Sequence, residues 1–459
     1  MKGAIPPGKF PGGAPLSISR LRIWITASMG FMTDAYDLFV VGAIIDIIDR
    51  YKLPGFYDPR LETLLASSAI FAAIVGQMTM GRISDLFGRK FIYGLEAILL
   101  AVGAILSSVA PNILWLIAFR FILGVGIGSD YPLSAVIASE YSGAENRGRM
   151  VGLVFAAQGI GAVLAVFASM AAVAFLPPDL AWRSIAAAGA IPALSVVYLR
   201  RKLPETPKYS ALVRGDYEGA RRAAAELGVE VEEGVVARQM GGACFLRRYW
   251  LTLLGTALPW FIMDVAFYGT GIYSAAIVTG ILGPAKSILQ ELFEAGLPYI
   301  IGAPGYFIAV ALLDRVGRRS LQIGGFLAMA AIYVAASRFL LGGSTASLLS
   351  MAIYSLSFLT INAGPNTTTF VLPSEVFPVR YRSTGHGTSA AAGKAGAGFA
   401  TLWLIPTLVG TLGVGDTLIV LALLSIAGAA LTLLLREPAH RTLEEASLEE
   451  MVPLQSLAS

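Results

Sequence analysis

Stretches of about twenty apolar residues return twelve times along this 459-residue chain. An α-helix rises about 1.5 Å per residue, so such a stretch crosses a hydrocarbon layer about 30 Å thick. The runs lie near 21–48, 64–83, 90–110, 112–139, 149–176 and 181–200, then 249–277, 289–312, 320–341, 345–373, 386–411 and 415–436. In lipid each segment must satisfy its own backbone hydrogen bonds, and a helix does so unaided. The chain is therefore expected to be an all-α integral membrane protein with twelve transmembrane helices. Only 14% of its residues are charged, against about 25% in an ordinary soluble domain. Residues 1–20 lack the apolar core of a cleavable signal peptide, and the first run is too long to be one.

Lysine and arginine orient these helices. If the N-terminus and every second loop share one side, that side holds 26 of the 34 basic residues. The opposite loops hold Arg50, Lys52, Arg60, Arg183, Lys286 and Arg338. Basic loops stay in the cytoplasm, which predicts that both termini are cytoplasmic. The net charge of +4 is thus a matter of topology, and its spread over short loops argues against nucleic acid as a partner. Arg120 and Lys394 fall inside spans. Lone Cys244 excludes an intrachain disulfide.

Motifs recur at nearly constant offsets. Gly81-Arg82-Ile83-Ser84-Asp85-Leu86-Phe87-Gly88-Arg89-Lys90 follows the second run, and Asp314-Arg315-Val316-Gly317-Arg318-Arg319 follows the eighth. Glu140 and Arg147 stand seven apart after the fourth run, as do Glu375 and Arg382 after the tenth. Pro204-Glu205-Thr206-Pro207-Lys208 follows the sixth, and Arg436-Glu437-Pro438 the twelfth. The offsets are 229, 235 and 232–234, so the chain reads as a duplication. It divides into a six-helix bundle at 1–200, a polar linker at 201–248, a second bundle at 249–436 and a tail at 437–459. The linker, with Arg200-Arg201-Lys202 at its start and Glu230, Glu232 and Glu233 further on, reads as partly helical and solvated.

The Gly-x-x-x-Asp-x-x-Gly-Arg-Lys loop and its repetition in the second half resemble the major facilitator superfamily over the whole chain. The resemblance implies two pseudo-symmetric bundles that rock about a central site. It also implies that Asp85, Arg89, Glu140, Arg147, Asp314, Arg318, Glu375 and Arg382 form a gate of charge pairs between the halves. A reading of these residues as topology signals alone leaves the recurring acids unexplained. Gly128-Ser129-Asp130-Tyr131-Pro132-Leu133-Ser134, Trp260–Tyr268, Asn362–Phe370 and Gly393-Lys394-Ala395-Gly396-Ala397 resemble, more narrowly, the phosphate:proton symporter family.

That resemblance implies a phosphate site between the halves made by Tyr131, Gln158, Trp260, Asp264, Tyr268 and Asn366. The residues agree on their own terms, because Trp260, Asp264 and Tyr268 are spaced i, i+4, i+8 and share one helical face. Neutral donors in a water-poor centre suit a tetrahedral oxyanion. Lys394 is expected either to attract the anion, to pair with a carboxylate, or to snorkel as a structural lysine. Proton transfer needs acids at membrane depth, where ionisable groups are functional by default. The candidates are Asp34, Asp37, Glu96, Asp130 and Asp264, with Arg120 expected to pair with one of them. The resemblance favours Asp34 and Asp130.

Other chemistry finds little footing. Gly393-Lys394-Ala395 lacks the P-loop's upstream glycine and following hydroxyl, so no ATP site is implied. Two histidines and one cysteine do not make a metal cluster. His386 is expected to cap a helix or be solvated, with pH sensing as the alternative, and His440 to be solvated. The sequence is thus expected to encode a secondary transporter without cofactor or enzymatic activity, partnered by inorganic phosphate, protons and the lipid bilayer, with no obligate protein partner. Two alternatives stand beside it: a proton-coupled sugar or organic-solute carrier of the same fold, and a phosphate receptor that does not transport.

Overall fold

The computed structural model describes residues 18–227, 235–238, 240–341 and 347–453. The acidic cluster at 230–233 lies outside them. Among the described residues ten helical stretches are long and apolar enough to cross a membrane. One of these, Val379–Thr432, is two spans joined at Gly413, where φ of 80° breaks the helix. The helix Ile18–Tyr51, which carries Asp34, Asp37, Asp46 and Asp49, completes the twelve.

Numbered as spans, the first half comprises span 1 (Ile18–Tyr51), span 2 (Pro59–Phe87), span 3 (Arg89–Ile92 and Leu95–Ser108), span 4 (Ile113–Glu140), span 5 (Arg147–Phe175) and span 6 (Pro178–Ala188 and Ala190–Arg201). The second comprises span 7 (Gly242–Ile272), span 8 (Ile288–Val316), span 9 (Arg318–Leu341), span 10 (Ser347–Ala363 and Pro365–Val376), span 11 (from Arg382 to the kink at Gly413) and span 12 (from that kink to Thr432). The halves meet where span 2 packs on span 11 and span 5 on span 8, two pairs related by the duplication. At the first crossing a Cβ on Gly387 would meet the Gln77 carbonyl, and one on Gly81 the Ser383 carbonyl. Glycine is needed there for the backbones to touch.

Local sequence starts and stops these helices. Asp58 accepts the Arg60 N–H ahead of span 2, and Asn112 accepts those of Leu114 and Trp115 ahead of span 4. Spans 2 and 8 end at Gly88 and Gly317, whose φ of 104° and 92° only glycine adopts without strain. Among the described residues the linker holds two short helices, Pro207–Leu212 and Tyr217–Leu227, and one departure from the expected all-α chain. Strand β1 (Val235–Ala237) pairs antiparallel with β2 (Met451–Pro453) of the tail, Val236 opposite Val452. Span 6 continues to Arg201, so Arg200 belongs to a membrane helix and is fully buried, where a solvated linker residue was expected. Cys244 lies exposed in the first turn of span 7.

Candidate functional site

The centre of the molecule is a polar cluster enclosed by aromatic rings. Trp260, Asp264 and Tyr268 line one face of span 7, as their spacing required, and Lys394 reaches them from span 11. The lysine donates to Asp264 Oδ2 at 2.9 Å and to the Tyr268 hydroxyl at 3.1 Å. Its Nζ also lies 4.3 Å from the ring centroid of Tyr268 and 5.0 Å from that of Tyr131. Of the roles open to Lys394, pairing with a carboxylate is the one the geometry realises.

From the first half, Tyr131 on span 4 donates its hydroxyl to Gln158 Oε1 at 3.4 Å. Gln158 on span 5 donates to the Tyr306 hydroxyl on span 8 at 3.0 Å, and Asn366 donates to the same hydroxyl at 2.9 Å. Asn366 is placed by a break in span 10. Gly364 is non-helical (φ −128°, ψ −104°), and Pro365, which has no N–H to satisfy, restarts the helix. Trp260 closes one wall, its ring 6.3 Å from that of Tyr131 and 5.5 Å from that of His386. Each of these side chains is at most 2% exposed. A cation, a carboxylate, three phenols and two amides thus converge from both halves, where the low dielectric strengthens every polar contact. Phe39 stacks on Tyr268 at 5.9 Å and packs on Tyr299 at 4.7 Å. Phe39, Tyr299, Asp46 and Ser169 line a cavity between the halves on the side away from the termini.

A second buried group surrounds Arg200. Its Nη1 donates to Glu96 Oε1 at 2.6 Å and to Asp130 Oδ1 at 2.9 Å, and Nη2 donates to Asp130 Oδ2 at 2.9 Å. Ser134 also donates to Asp130. Asp34 is fully buried, and neither of its oxygens has a hydrogen-bond partner among the described residues. Arg120 does not reach Asp34 or Asp130; of the candidate acids its charge faces Asp37, and its Nη2 donates to the main-chain oxygen of that residue at 2.9 Å. The reason is register: Arg120 lies ten residues before Asp130 on span 4, nearly three helical turns away. The cation for Asp130 and Glu96 comes instead from span 6.

The eight residues expected to form a gate meet on the side of the termini, where two of their acids cap helices and the others form ion pairs. Spans 5 and 11 begin without a side-chain cap of their own. Asp314 of the second half accepts the Gly148 and Arg149 N–H groups at the start of span 5, at 3.1 and 2.8 Å. Asp85 of the first half accepts the Ser383 and Thr384 N–H groups at the start of span 11, at 3.2 and 2.6 Å, and the Thr384 hydroxyl at 2.7 Å. Each half therefore supplies the cap, and the favourable charge at the positive helix end, that the other lacks. Ion pairs join the same region. Glu140 accepts from Arg89 at 3.1 Å and across the halves from Arg382 at 3.0 Å. Glu375 accepts from Arg318 at 3.0 Å and pairs across the halves with Arg147, whose Nε lies 3.1 Å away. The duplicated acids that follow the sixth and twelfth spans act likewise. Glu205 accepts the Arg89 and Lys90 N–H groups, and Glu437 those of Arg318 and Arg319. Burial raises the affinity of Glu205 for its proton, and the charge of Arg89 opposes this.

Three features were not legible beforehand. Tyr306 joins Gln158 to Asn366, and its only signal in sequence is a tyrosine seven residues after Tyr299 on the same face of span 8. Arg200 was masked by its position at the edge of a basic run. His386 is fully buried, its Nε2 3.1 Å from the Phe370 carbonyl, so it neither caps a helix nor meets solvent. His440 is exposed, 3.6 Å from Glu145.

Comparison with known proteins places this geometry in a family. A family profile described as sugar (and other) transporter matches residues 23–449. Among relatives, the probable inorganic phosphate transporter 1-6 of Arabidopsis thaliana is 36% identical over 481 residues, covering 93% of each chain. The inorganic phosphate transporter 1-11 of Oryza sativa subsp. japonica is 34% identical, covering 94% of this chain and 88% of the relative. The low affinity inorganic phosphate transporter 1 of Petunia hybrida is 35% identical, covering 93% and 92%. Of solved structures, the proton:xylose symporter XylE bound to 6-bromo-6-deoxy-D-glucose superposes with a TM-score of 0.78 at 21% identity, covering 93% of this chain and 98% of that one. The likeness to XylE is one of fold.

Proposed function

Because the chain belongs to the sugar (and other) transporter family, among relatives named as inorganic phosphate transporters, we propose that it imports inorganic phosphate together with protons by alternating access. The observation that carries this reading is the Lys394–Asp264 pair set among tyrosine hydroxyls and amides at the junction of the halves. An ionised pair is neutral overall. Dihydrogen phosphate placed on it adds one uncompensated negative charge in a water-poor interior, which is costly. A proton carried with the anion removes that charge, so symport follows from the electrostatics of the site. A neutral sugar has no use for a buried lysine, and this favours phosphate over the sugar-carrier reading.

In this mechanism Lys394 and the Tyr131, Tyr268 and Tyr306 hydroxyls donate to phosphate oxygens. Asp264, ionised, accepts from a protonated phosphate oxygen. Asp34, Asp130 and Glu96 carry the proton. The cavity above Phe39 and Tyr299 admits substrate while the cap-and-ion-pair network keeps the opposite side shut; opening that network releases it. The first half (1–200) and second half (249–436) move as bodies, joined by the linker, in a plasma membrane with both termini cytoplasmic.

Proteoliposomes test the reading. Labelled phosphate is expected to accumulate under an inward proton gradient, to stop when a protonophore collapses it, and to be competed by arsenate but not by xylose or glucose. Competition by the sugars would favour the organic-solute carrier. Binding without accumulation would favour a receptor.

A further inference from the structure

We propose that Arg200 is the positioning residue that ties protonation of the buried carboxylates to closure between the halves, an inference that rests on the proton-coupled reading above. Its guanidinium grips three other helices. Besides Glu96 of span 3 and the two-pronged bond to Asp130 of span 4, Nη2 donates to the Thr26 carbonyl of span 1 at 3.4 Å. The Tyr93 ring lies under it at 4.7 Å. A Cβ on Gly30 would meet both its Nη2 and Asp130, so the space around the pair is filled. The titratable and charged groups around it are Asp34 and, beyond it, Asp37 from span 1, Tyr93 and Glu96 from span 3, and Asp130 from span 4. Arg120 is turned to the Asp37 main chain. Three acids, Asp34, Glu96 and Asp130, therefore share one cation, and Asp34 is the one it does not bond.

The residues just after Arg200 give this cluster its reach. Five positions on, Glu205 caps the Arg89 and Lys90 N–H groups, and Thr206 donates to Glu140. Glu140 is the acid that Arg382 grips from the other half. The intervening stretch has no slack. Leu203 N–H donates to the Arg200 carbonyl at 3.2 Å, and the Leu203 side chain packs in a core with Ile23, Tyr93 and Leu133. A displacement of Arg200 is thus passed to the residues that hold Glu140.

The trigger is a proton. The fork of Asp130 onto Arg200 needs both carboxylate oxygens free, and a protonated carboxyl no longer holds the guanidinium in that geometry. A proton arriving on Asp130 or Glu96 loosens Arg200, relaxes 200–206 and weakens the grip of Glu140 on Arg382. The same proton leaves on the other side of the membrane, and nothing else is consumed. Opening on the termini side should therefore increase as pH falls.

Spin labels on the two halves, read in detergent or nanodiscs without phosphate, test this. In the wild-type protein the ratio of open to closed distances should rise about tenfold or more from about pH 8 to about pH 5. Arg200→Gln should reduce that response to less than about twofold, whereas Arg201→Gln, its exposed neighbour, should keep it. Arg200→Lys keeps the charge without the fork and should move the pH midpoint; it gives the same comparison if the Gln variant does not insert. A wild-type pH response in Arg200→Gln or Arg200→Lys, or equal loss in Arg201→Gln, would overturn the link. Phosphate plays no part in the distances, so failure of wild-type phosphate uptake would count against the proposed substrate and leave this result standing.

Discussion

Removing the two aspartates that cap helices across the halves should open the termini side by an amount the structure lets one work out. Asp85 accepts three hydrogen bonds from Ser383 and Thr384, and Asp314 accepts two from Gly148 and Arg149. Loss of an N-cap costs about 1–2 kcal/mol. Loss of a negative charge at a partly buried helix N-terminus costs about another 1 kcal/mol. Asp85→Ala or Asp314→Ala should therefore cost the closed state about 2–3 kcal/mol each. The two sites share no partner, so the double variant should lose about 4–6 kcal/mol. About 5.5 kcal/mol turns a 99:1 preference into 1:99, so a closed transporter should become a mostly open one. The Asn pair supplies a graded control, because asparagine caps as well as aspartate but lacks its charge. It should lose only about 2 kcal/mol, a shift of about 30-fold. Nitroxides at positions 91 and 433, both exposed and on opposite halves, report the distance once Cys244 is replaced by serine. Unchanged distances in the Ala double variant would mean that these residues orient the chain in the membrane and do not gate it.

Three further outcomes are expected. Asp264→Asn should weaken phosphate binding and narrow its preference over sulfate, since an ionised carboxylate accepts from protonated phosphate and repels sulfate, a discrimination of roughly 10⁴-fold in sites of this kind; titration of both anions reads this, and an undiminished preference would remove Asp264 as the discriminator. Asp130→Asn should abolish gradient-driven accumulation while phosphate still binds, and full accumulation by that variant would exclude Asp130 from the proton path. At the tail, burial pushes the Glu444 carboxyl up, but its bond to Lys208 outweighs this and holds it at about 2. The unfolded group titrates near 4.5, so the tail's attachment is complete above that pH and weakens as pH falls from 4.5 toward 2. Limited proteolysis should find the tail released across that window, and Lys208→Met should flatten this pH dependence while leaving the tail more readily cleaved at neutral pH.

The sequence alone carried whatever is periodic or repeated. The apolar runs specify twelve helices because a bilayer has one thickness and a helix one rise. The offsets of Asp85 to Asp314 and Glu140 to Glu375 disclosed the duplication, and with it which gate residues would face each other. Trp260, Asp264 and Tyr268 were legible as a set because a single helix puts i, i+4 and i+8 on one side. The joins between one helix and another were not legible. Tyr306 meets Gln158 across 148 positions, and Arg200 meets Glu96 and Asp130 across 104 and 70. The rotation of each helix about its own axis decides such meetings. Apolar composition leaves much of that rotation open in lipid, where most faces of a span are hydrophobic enough to be exposed. Close approach sets it, through Gly387 and Gly81 at the junction of the halves and Gly30 against Arg200. The same packing turned Arg120 to a main-chain oxygen and buried His386 against Phe370 and Trp260, because a polar side chain enclosed by helices takes the partner that tertiary geometry leaves within reach.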